Sequence, residues 1–229
     1  MGETLKATIL IAVLNSHEIL RRQLEWFDKQ EFPDDVEILI MDDGSDPPLS
    51  GEARNLRIVP TNDFRPWTQP LARNKGAQIA LGEYLICTDI DHIIDRKLVD
   101  CVLNTTHDFV RFRRELGLLD ENGNFTQDHE SLVRYGIPEE RTKLRLPAHG
   151  NYYAIKKELF LKLGGSQKKD QYPNQDELPL KHQIKSLLAK KEISVIPDEE
   201  RPVIYMIPNG RFCGERDYNP FGLFHGLKR

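Results

Sequence analysis

Two short, almost wholly apolar segments near the N-terminus are the feature that most constrains the fold of this chain. Residues 7–14 (ATILIAVL) and 36–41 (VEILIM) are rich in Ile, Leu and Val and do not alternate regularly between polar and apolar positions. Such segments are typical of strands that are buried on both faces of a parallel sheet. Residues 56–59 and 84–88 (YLICT) predict two further strands.

Helical patterns fill the gaps between these predicted strands. Residues 15–18 have the Asn-x-x-Glu spacing that predicts a capping box, and apolar residues then recur at helical spacing as far as Phe27. A second helix is predicted between Pro70, at a first helical position, and Gly82, past its end. Strands that alternate with helices in this way predict an α/β fold with a mainly parallel central sheet flanked by helices.

The second half of the chain has a weaker pattern. Residues 128–148 are polar and carry no clear period, which predicts a loop-rich insertion. Gly164 and Gly165 predict the end of a helix that begins at residue 156, and residues 180–188 predict another helix. Further strands are predicted at residues 107–113, 152–155, 193–196 and 203–207, with a turn at residues 121–124 between two shorter strands.

Composition narrows the class of protein. Its 39% hydrophobic and 30% charged residues are those of an ordinary globular protein, and 229 residues suit a single domain. The net charge of −4 argues against a nucleic-acid-binding protein, which would need a basic surface. Cys87, Cys101 and Cys213 are widely spaced, and no apolar run is long enough to cross a bilayer. We therefore expect a cytoplasmic protein with reduced thiols, and peripheral attachment to a membrane stays open.

Polar side chains follow three of the predicted strands where the strands end. Asn15 follows the first strand, Asp42 and Asp43 follow the second, and Asp89-Ile90-Asp91 follows the fourth. Ligands of open parallel sheets bind beyond the carboxyl ends of the strands. Clustered carboxylates also repel each other unless a cation or a donor-rich ligand compensates. The pattern thus predicts a ligand site, and the alternative is that the acids cap turns or lie in solvated loops.

Three segments, in this order and spacing, resemble the family-2 glycosyltransferases of the GT-A fold: ILIAVLNSHEIL, VEILIMDDGSD and LARNKGAQIALGEYLICTDIDHI. HGNYYAIKKELFLKLGG resembles the acceptor-side segment of the same family. The resemblance implies one GT-A domain over residues 1–229, with a nucleotide-binding half (1–100) and an acceptor-binding half (101–229). It also implies a metal-dependent, inverting transfer of a sugar from a nucleotide-sugar, most often a UDP-sugar, to a hydroxyl of a carbohydrate or another acceptor.

The resemblance also implies which residues bind the donor. Residues at the ends of the first two strands would bind the base and the ribose. In this chain those residues are Ala12, Leu14, Asn15, Asp42 and Asp43.

The Asp-x-Asp triplet is the implied diphosphate and metal site. Asp89 would face the ribose side, Ile90 would also contact the nucleotide, and Asp91, with Asp89, would bind the Mn²⁺ or Mg²⁺ that bridges the diphosphate. Arg73, in the family's Ala-Arg-Asn segment, would reach the diphosphate or the base; the alternative is a solvent-facing arginine.

An inverting transfer also needs a carboxylate that accepts the proton of the acceptor hydroxyl. The matching segment is NQDEL, in which Asp176 aligns with the family's base. Gln175 replaces the usual Glu, so that Asp176 and Glu177 both remain candidates, and Asp176 could alternatively cap a helix.

Three aromatic residues are further candidates. His225 matches a C-terminal histidine that some related enzymes supply to the metal, although it could equally be a polar residue of the tail. His92 adjoins the Asp-x-Asp triplet, but an extended backbone would point its side chain away from that of Asp91. Trp67, in a Pro-rich loop, could stack on a sugar.

The sequence also bears on two other functions. A nucleotidyltransferase would carry a Gly-rich, basic loop after the first strand. This chain has LNSH there, which argues against that function. A catalytically degenerate subunit that still binds a nucleotide-sugar stays open because of Gln175.

Overall fold

The structure is a computed structural model that describes residues 5–63, 65, 68–142, 146, 151–166 and 178–208. Its elements in chain order are β1 (Leu5–Val13), α1 (His17–Gln30), β2 (Val36–Asp42), β3 (Leu56–Pro60), α2 (Gln69–Ile79), β4 (Gly82–Thr88), β5 (His92–Ile93), α3 (Arg96–Leu103), β6 (Phe109–Arg111), β7 (Arg113–Leu116), β8 (Leu118–Leu119), β9 (Phe125–Thr126), α4 (His129–Arg134), β10 (Tyr153–Lys156), α5 (Lys157–Lys162), α6 (Leu178–Ala189) and β11 (Val203–Met206).

The central sheet has six strands in the order β3-β2-β1-β4-β10-β6. The first four run parallel, whereas β10 is antiparallel to both of its neighbours. A three-stranded sheet, β5-β11-β7, and a two-stranded sheet, β8-β9, complete the described architecture. The predicted α/β fold with a mainly parallel sheet is therefore confirmed.

The apolar run of β1 is explained by burial on both faces of the sheet. Ile9 and Ile11 belong to a core that includes Leu20 and Phe27 of α1. Leu10, between them, belongs to the second core, on the face that α2 covers.

Gly76 lets α2 approach this second face closely. A Cβ atom at position 76 would lie 2.4 Å from Leu10 Cδ1 and 2.9 Å from Met41 Cγ. Any larger residue there would have to displace two core side chains, so the glycine brings α2 and its polar residues close to the strand ends.

The predicted capping box at the start of α1 is wrong. The helix begins at His17, after Ser16, and no side chain caps it. Asn15 instead has a positive φ of 49°, and its Oδ1 accepts a hydrogen bond from the backbone N–H of Asp46 at 2.8 Å. Glu18, the other half of the predicted box, pairs with Arg21.

Several predictions for the second half need correction. Residues 128–148 contain α4 and a 3₁₀ turn at Glu139–Arg141 besides loops. Residues 193–196 do not form a regular strand, since Val195 makes only an isolated bridge with Phe109. Helix α3 was not predicted. Among the described residues, no helix is both long and apolar enough to cross a membrane.

Candidate active site

The sheet order places β1 between β2 and β4, so that the three predicted polar clusters lie at neighbouring strand ends. At the end of β1, Ala12 is buried and Leu14 is partly buried. The backbone N–H of Asn15 donates to Ser45 Oγ at 2.9 Å. Together with the hydrogen bond that the Asp46 N–H donates to Asn15 Oδ1, this contact ties the end of β1 to the turn after β2.

The two acids after β2 have different surroundings. Asp42 accepts backbone hydrogen bonds from Ser45 at 2.8 Å and from Leu49 at 3.0 Å, one on each carboxylate oxygen. Its carboxylate therefore holds the turn, as the alternative interpretation expected. Asp43, which is also buried, accepts from Thr68 Oγ1, with 2.8 and 2.9 Å to its two oxygens. Its side chain thus contacts the residue directly before α2.

Arg73 is almost completely buried on α2, so the alternative of a solvent-facing arginine is wrong. Its Nη2 donates to Asp89 Oδ1 and also to the Thr88 carbonyl, at 3.3 Å. Gln69, one helical turn earlier, donates to the same Asp89 oxygen at 2.7 Å. Two side chains from one face of α2 therefore fix Asp89, whose own side chain is 20% exposed.

Asp91 has a partner on the other side of the triplet. Its Oδ1 lies 2.6 Å from His92 Nδ1, and its side chain is 19% exposed. His92 is fully buried but contacts Asp91, so the expectation that its side chain points away from Asp91 is wrong. Ile90, between the two acids, is buried and its carbonyl accepts from Gln23 of α1 at 3.2 Å.

Tyr152 lies beside both acids. Burial raises the pKa of its hydroxyl far above the usual range, and the negative charges of Asp89 and Asp91 raise it further. The Tyr152 ring stacks on the His92 ring, with centroids 3.7 Å apart. Tyr152 therefore stays protonated at any physiological pH and closes the β10 side of the acidic triplet.

The structure thus brings together most of the predicted donor-site residues. Asp176, Glu177, His225 and Trp67 lie outside the described residues, and their predicted roles stay predictions. The positions that sequence reasoning missed are Gln23, Thr68, Gln69 and Tyr152. Only Gln69 gave a usable signal, because it precedes Arg73 by four residues on the predicted helix.

Comparison with known proteins gives a family and a fold. The sequence profile of glycosyl transferase family 2 matches residues 8–159, about two thirds of the chain. A comparison with curated proteins finds no match.

Solved structures of S. aureus TarS are similar in fold. TarS 1–349 has 15% identity and a TM-score of 0.51, with 89% of this chain and 60% of that one covered. Its complex with UDP-GlcNAc has 14% identity and a TM-score of 0.54, with 92% and 61% covered. Its complex with UDP has 16% identity and a TM-score of 0.51, with 90% and 61% covered.

This chain therefore spans about three fifths of the TarS fragment that it resembles. The identity is low enough that this likeness supports the fold alone. The family match covers all three strand ends described above, together with Arg73 and Tyr152. The chain belongs to glycosyl transferase family 2.

Proposed function

We propose that this glycosyltransferase binds a UDP-sugar at the carboxyl ends of β1, β2 and β4 and transfers the sugar, with inversion, to an acceptor hydroxyl. The observation that carries the proposal is the arrangement of the acidic triplet. Asp89 is held by Arg73 and Gln69 from one side, and Asp91 is held by His92 from the other. Several side-chain hydrogen bonds thus fix two partly exposed carboxylates. Such an arrangement is typical of a binding site rather than of a solvated loop.

The proposed donor follows from the fold and its relatives. The structures of TarS with UDP-GlcNAc and with UDP share this fold. Asp43 follows β2, the strand next to β1. The family resemblance places the base and ribose at the ends of these two strands. Its carboxylate can accept hydrogen bonds from donors of a nucleoside.

The residues present fit a hard divalent cation such as Mn²⁺ or Mg²⁺, which prefers oxygen ligands. Asp91 is the better protein ligand of the pair, since Asp89 already pairs with the guanidinium of Arg73, whose positive charge disfavours a second cation at the same carboxylate. Within the described ranges no three His, Cys, Asp or Glu side chains form a metal-binding group. We assign the remaining metal ligands to the diphosphate oxygens of the donor and to His225, which the family resemblance implies. When bound, the ion would neutralise charge on the departing diphosphate.

The chemistry requires one further carboxylate. The acceptor oxygen attacks the anomeric carbon while the bond from that carbon to the diphosphate oxygen breaks, and the nucleoside diphosphate leaves. The acceptor proton passes to a carboxylate, which we assign to Asp176, with Glu177 as the alternative. Arg73 holds Asp89 in place through a hydrogen-bonded ion pair.

The assignment of the base is tested by comparing Asp176→Asn with Glu177→Gln in a transfer assay with UDP-sugars. We expect Asp176→Asn to lower kcat by about 10²–10⁴-fold, because the proton loses its acceptor. UDP affinity should not change in either variant, since neither residue is assigned to the nucleotide.

Glu192→Gln, an exposed acid just after α6, serves as the matched control. Full kcat in both the Asp176 and Glu177 variants would refute the assignment of the base to this segment. A wild-type protein that binds UDP but neither hydrolyses nor transfers any UDP-sugar would instead favour the non-catalytic subunit.

A further inference from the structure

His92 is a buried side chain that has no role in the transfer reaction proposed above. Its ring is fully buried, and one nitrogen, Nδ1, lies 2.6 Å from Asp91 Oδ1. An ionised carboxylate only accepts hydrogen bonds, so Nδ1 carries the hydrogen and donates it to Asp91. The other nitrogen, Nε2, is buried without a hydrogen-bond partner in the part of the chain that the structure describes.

The backbone around His92 is fixed from two directions. Gln23 of α1 donates from Nε2 to the carbonyls of Ile90 and His92, at 3.2 and 3.0 Å. The backbone N–H of Ile207, just after β11, donates to the carbonyl of Asp91 at 2.8 Å. The peptide groups before and after Asp91 are therefore both held by hydrogen bonds from other elements.

The ring of His92 is fixed as well. It stacks on Tyr152 of the segment before β10, at an interplanar angle of 29°. The guanidinium of Arg114 on β7 lies 5.5 Å from the centroid of the same Tyr152 ring. The stack and the hydrogen bond to Asp91 together limit the motion of the imidazole, so that part of the entropic cost of ordering it is met before a ligand binds.

We propose that His92 is a positioning residue, which sets the rotamer of Asp91 so that its carboxylate faces the metal–diphosphate group of the donor. The proposal rests on the proposed function. Groups that hydrogen-bond a metal ligand from behind raise metal affinity by fixing that ligand's orientation. His92 acts through Asp91 and is not itself a ligand, since its nearer nitrogen is committed to the carboxylate.

Two substitutions separate the hydrogen bond from the packing. His92→Phe keeps an aromatic ring against Tyr152 but removes the donor. His92→Asn loses the ring, but its Nδ2 lies two bonds from Cβ, as Nδ1 of histidine does, and so restores a donor to Asp91. His92→Gln places its amide nitrogen one bond further out and serves as the polar partner of the Asn variant.

The measurement is UDP affinity by calorimetry with and without Mn²⁺, beside the melting temperature of each variant. We expect His92→Phe and His92→Gln to weaken Mn²⁺-dependent UDP binding by about 10–100-fold, and His92→Asn to recover most of the loss. Binding of UDP without metal should not change. If the Phe variant fails to fold, the Mn²⁺-dependent UDP affinities of His92→Asn and His92→Gln test the positioning role.

The control is His129→Phe, because His129 lies on α4, is largely exposed and contacts Thr142. Wild-type affinity in the Phe and Gln variants, or an equal loss with and without Mn²⁺, would overturn the positioning role alone. A wild-type protein without metal-dependent UDP binding would overturn the proposed function as well.

Discussion

Arg73 is the largest fully buried side chain in the described chain, and its charge is balanced by Asp89. A buried guanidinium needs both a counter-charge and hydrogen-bond acceptors, because desolvation is otherwise too costly. Asp89 and the Thr88 carbonyl supply them at the end of β4. The pair therefore couples the stability of α2 to the geometry of the proposed donor site.

Replacement of Arg73 by Met tests this coupling. We expect the free energy of unfolding to fall by about 1–3 kcal/mol, since Asp89 loses its counter-charge and the Thr88 carbonyl a donor. UDP affinity should fall by at least tenfold, because Gln69 alone would then hold Asp89. Chemical denaturation and calorimetry measure the two effects.

Arg54→Met is the matched control, since the Arg54–Asp34 pair is exposed on both sides and contributes less than about 1 kcal/mol. The account is contradicted if the Arg73 variant loses no more stability than the Arg54 variant and binds UDP normally.

Residue by residue, the sequence predicted the acids but not their partners. Asp43, Asp89 and Asp91 could be predicted because strand ends and the family resemblance both point to them. Gln23 and Tyr152 could not, since they reach the triplet only through the packing of α1 and β10. The sequence likewise did not show that the carboxylate of Asp42 accepts hydrogen bonds from the backbone of the turn that follows it.

At the scale of elements, helix α2 makes polar contacts with two separate parts of the chain. Arg73 bonds to Asp89, while the next residue, Asn74, exchanges two hydrogen bonds with the backbone of Ser166, at 2.6 and 2.8 Å. Ser166 follows Gly164 and Gly165, and both glycines have positive φ. Helix α2 thus ties the end of β4 to the turn that precedes the predicted base.

A separate polar network joins the strands at the opposite end of the sheet. Glu37 of β2, 2% exposed, accepts from Thr8 Oγ1 at 2.8 Å, from the Leu81 N–H at 2.9 Å and from Arg57. It lies five residues before Asp42, or about 17 Å along the strand. Stability and ligand binding should therefore be separable on this one strand.

Glu37→Ala is expected to lower the free energy of unfolding by about 3 kcal/mol, because the buried Thr8 hydroxyl and the partly buried Leu81 N–H lose their acceptor. UDP affinity should stay unchanged, since the donor site lies at the other end. Denaturant unfolding and UDP titration check both statements. Glu83→Ala, an exposed acid on β4, is the control, and a large loss of UDP affinity in the Glu37 variant would contradict the separation.

Elements with strong local patterns were predicted, and those defined by distant pairing were not. Strands β1, β2 and β4 are apolar throughout, so their segments alone identify them. Residues 193–196 resemble a strand locally but find only one bridge partner. Helix α3 is only eight residues long, and its buried residues, Leu98, Val99 and Val102, were not recognised as a helical stripe.

At the scale of the whole molecule, the central sheet takes strands from both halves of the chain. The parallel strands β3-β2-β1-β4 come from the first 88 residues, and β10 and β6 from the second half extend the same sheet beside β4. Strand β10 brings Tyr152 next to the acidic triplet. The site is therefore assembled from both halves of the chain, although the sequence assigns the nucleotide to the first.

The central claim is that the acidic triplet binds a nucleoside diphosphate together with a metal ion. Its most direct test is a calorimetric titration with UDP, with and without Mn²⁺, of the wild type and of Asp91→Ala. We expect UDP binding that Mn²⁺ strengthens in the wild type, and loss of that strengthening in the variant. UDP binding that neither Mn²⁺ nor the substitution alters, or no binding of UDP, GDP or dTDP in either protein, would contradict it.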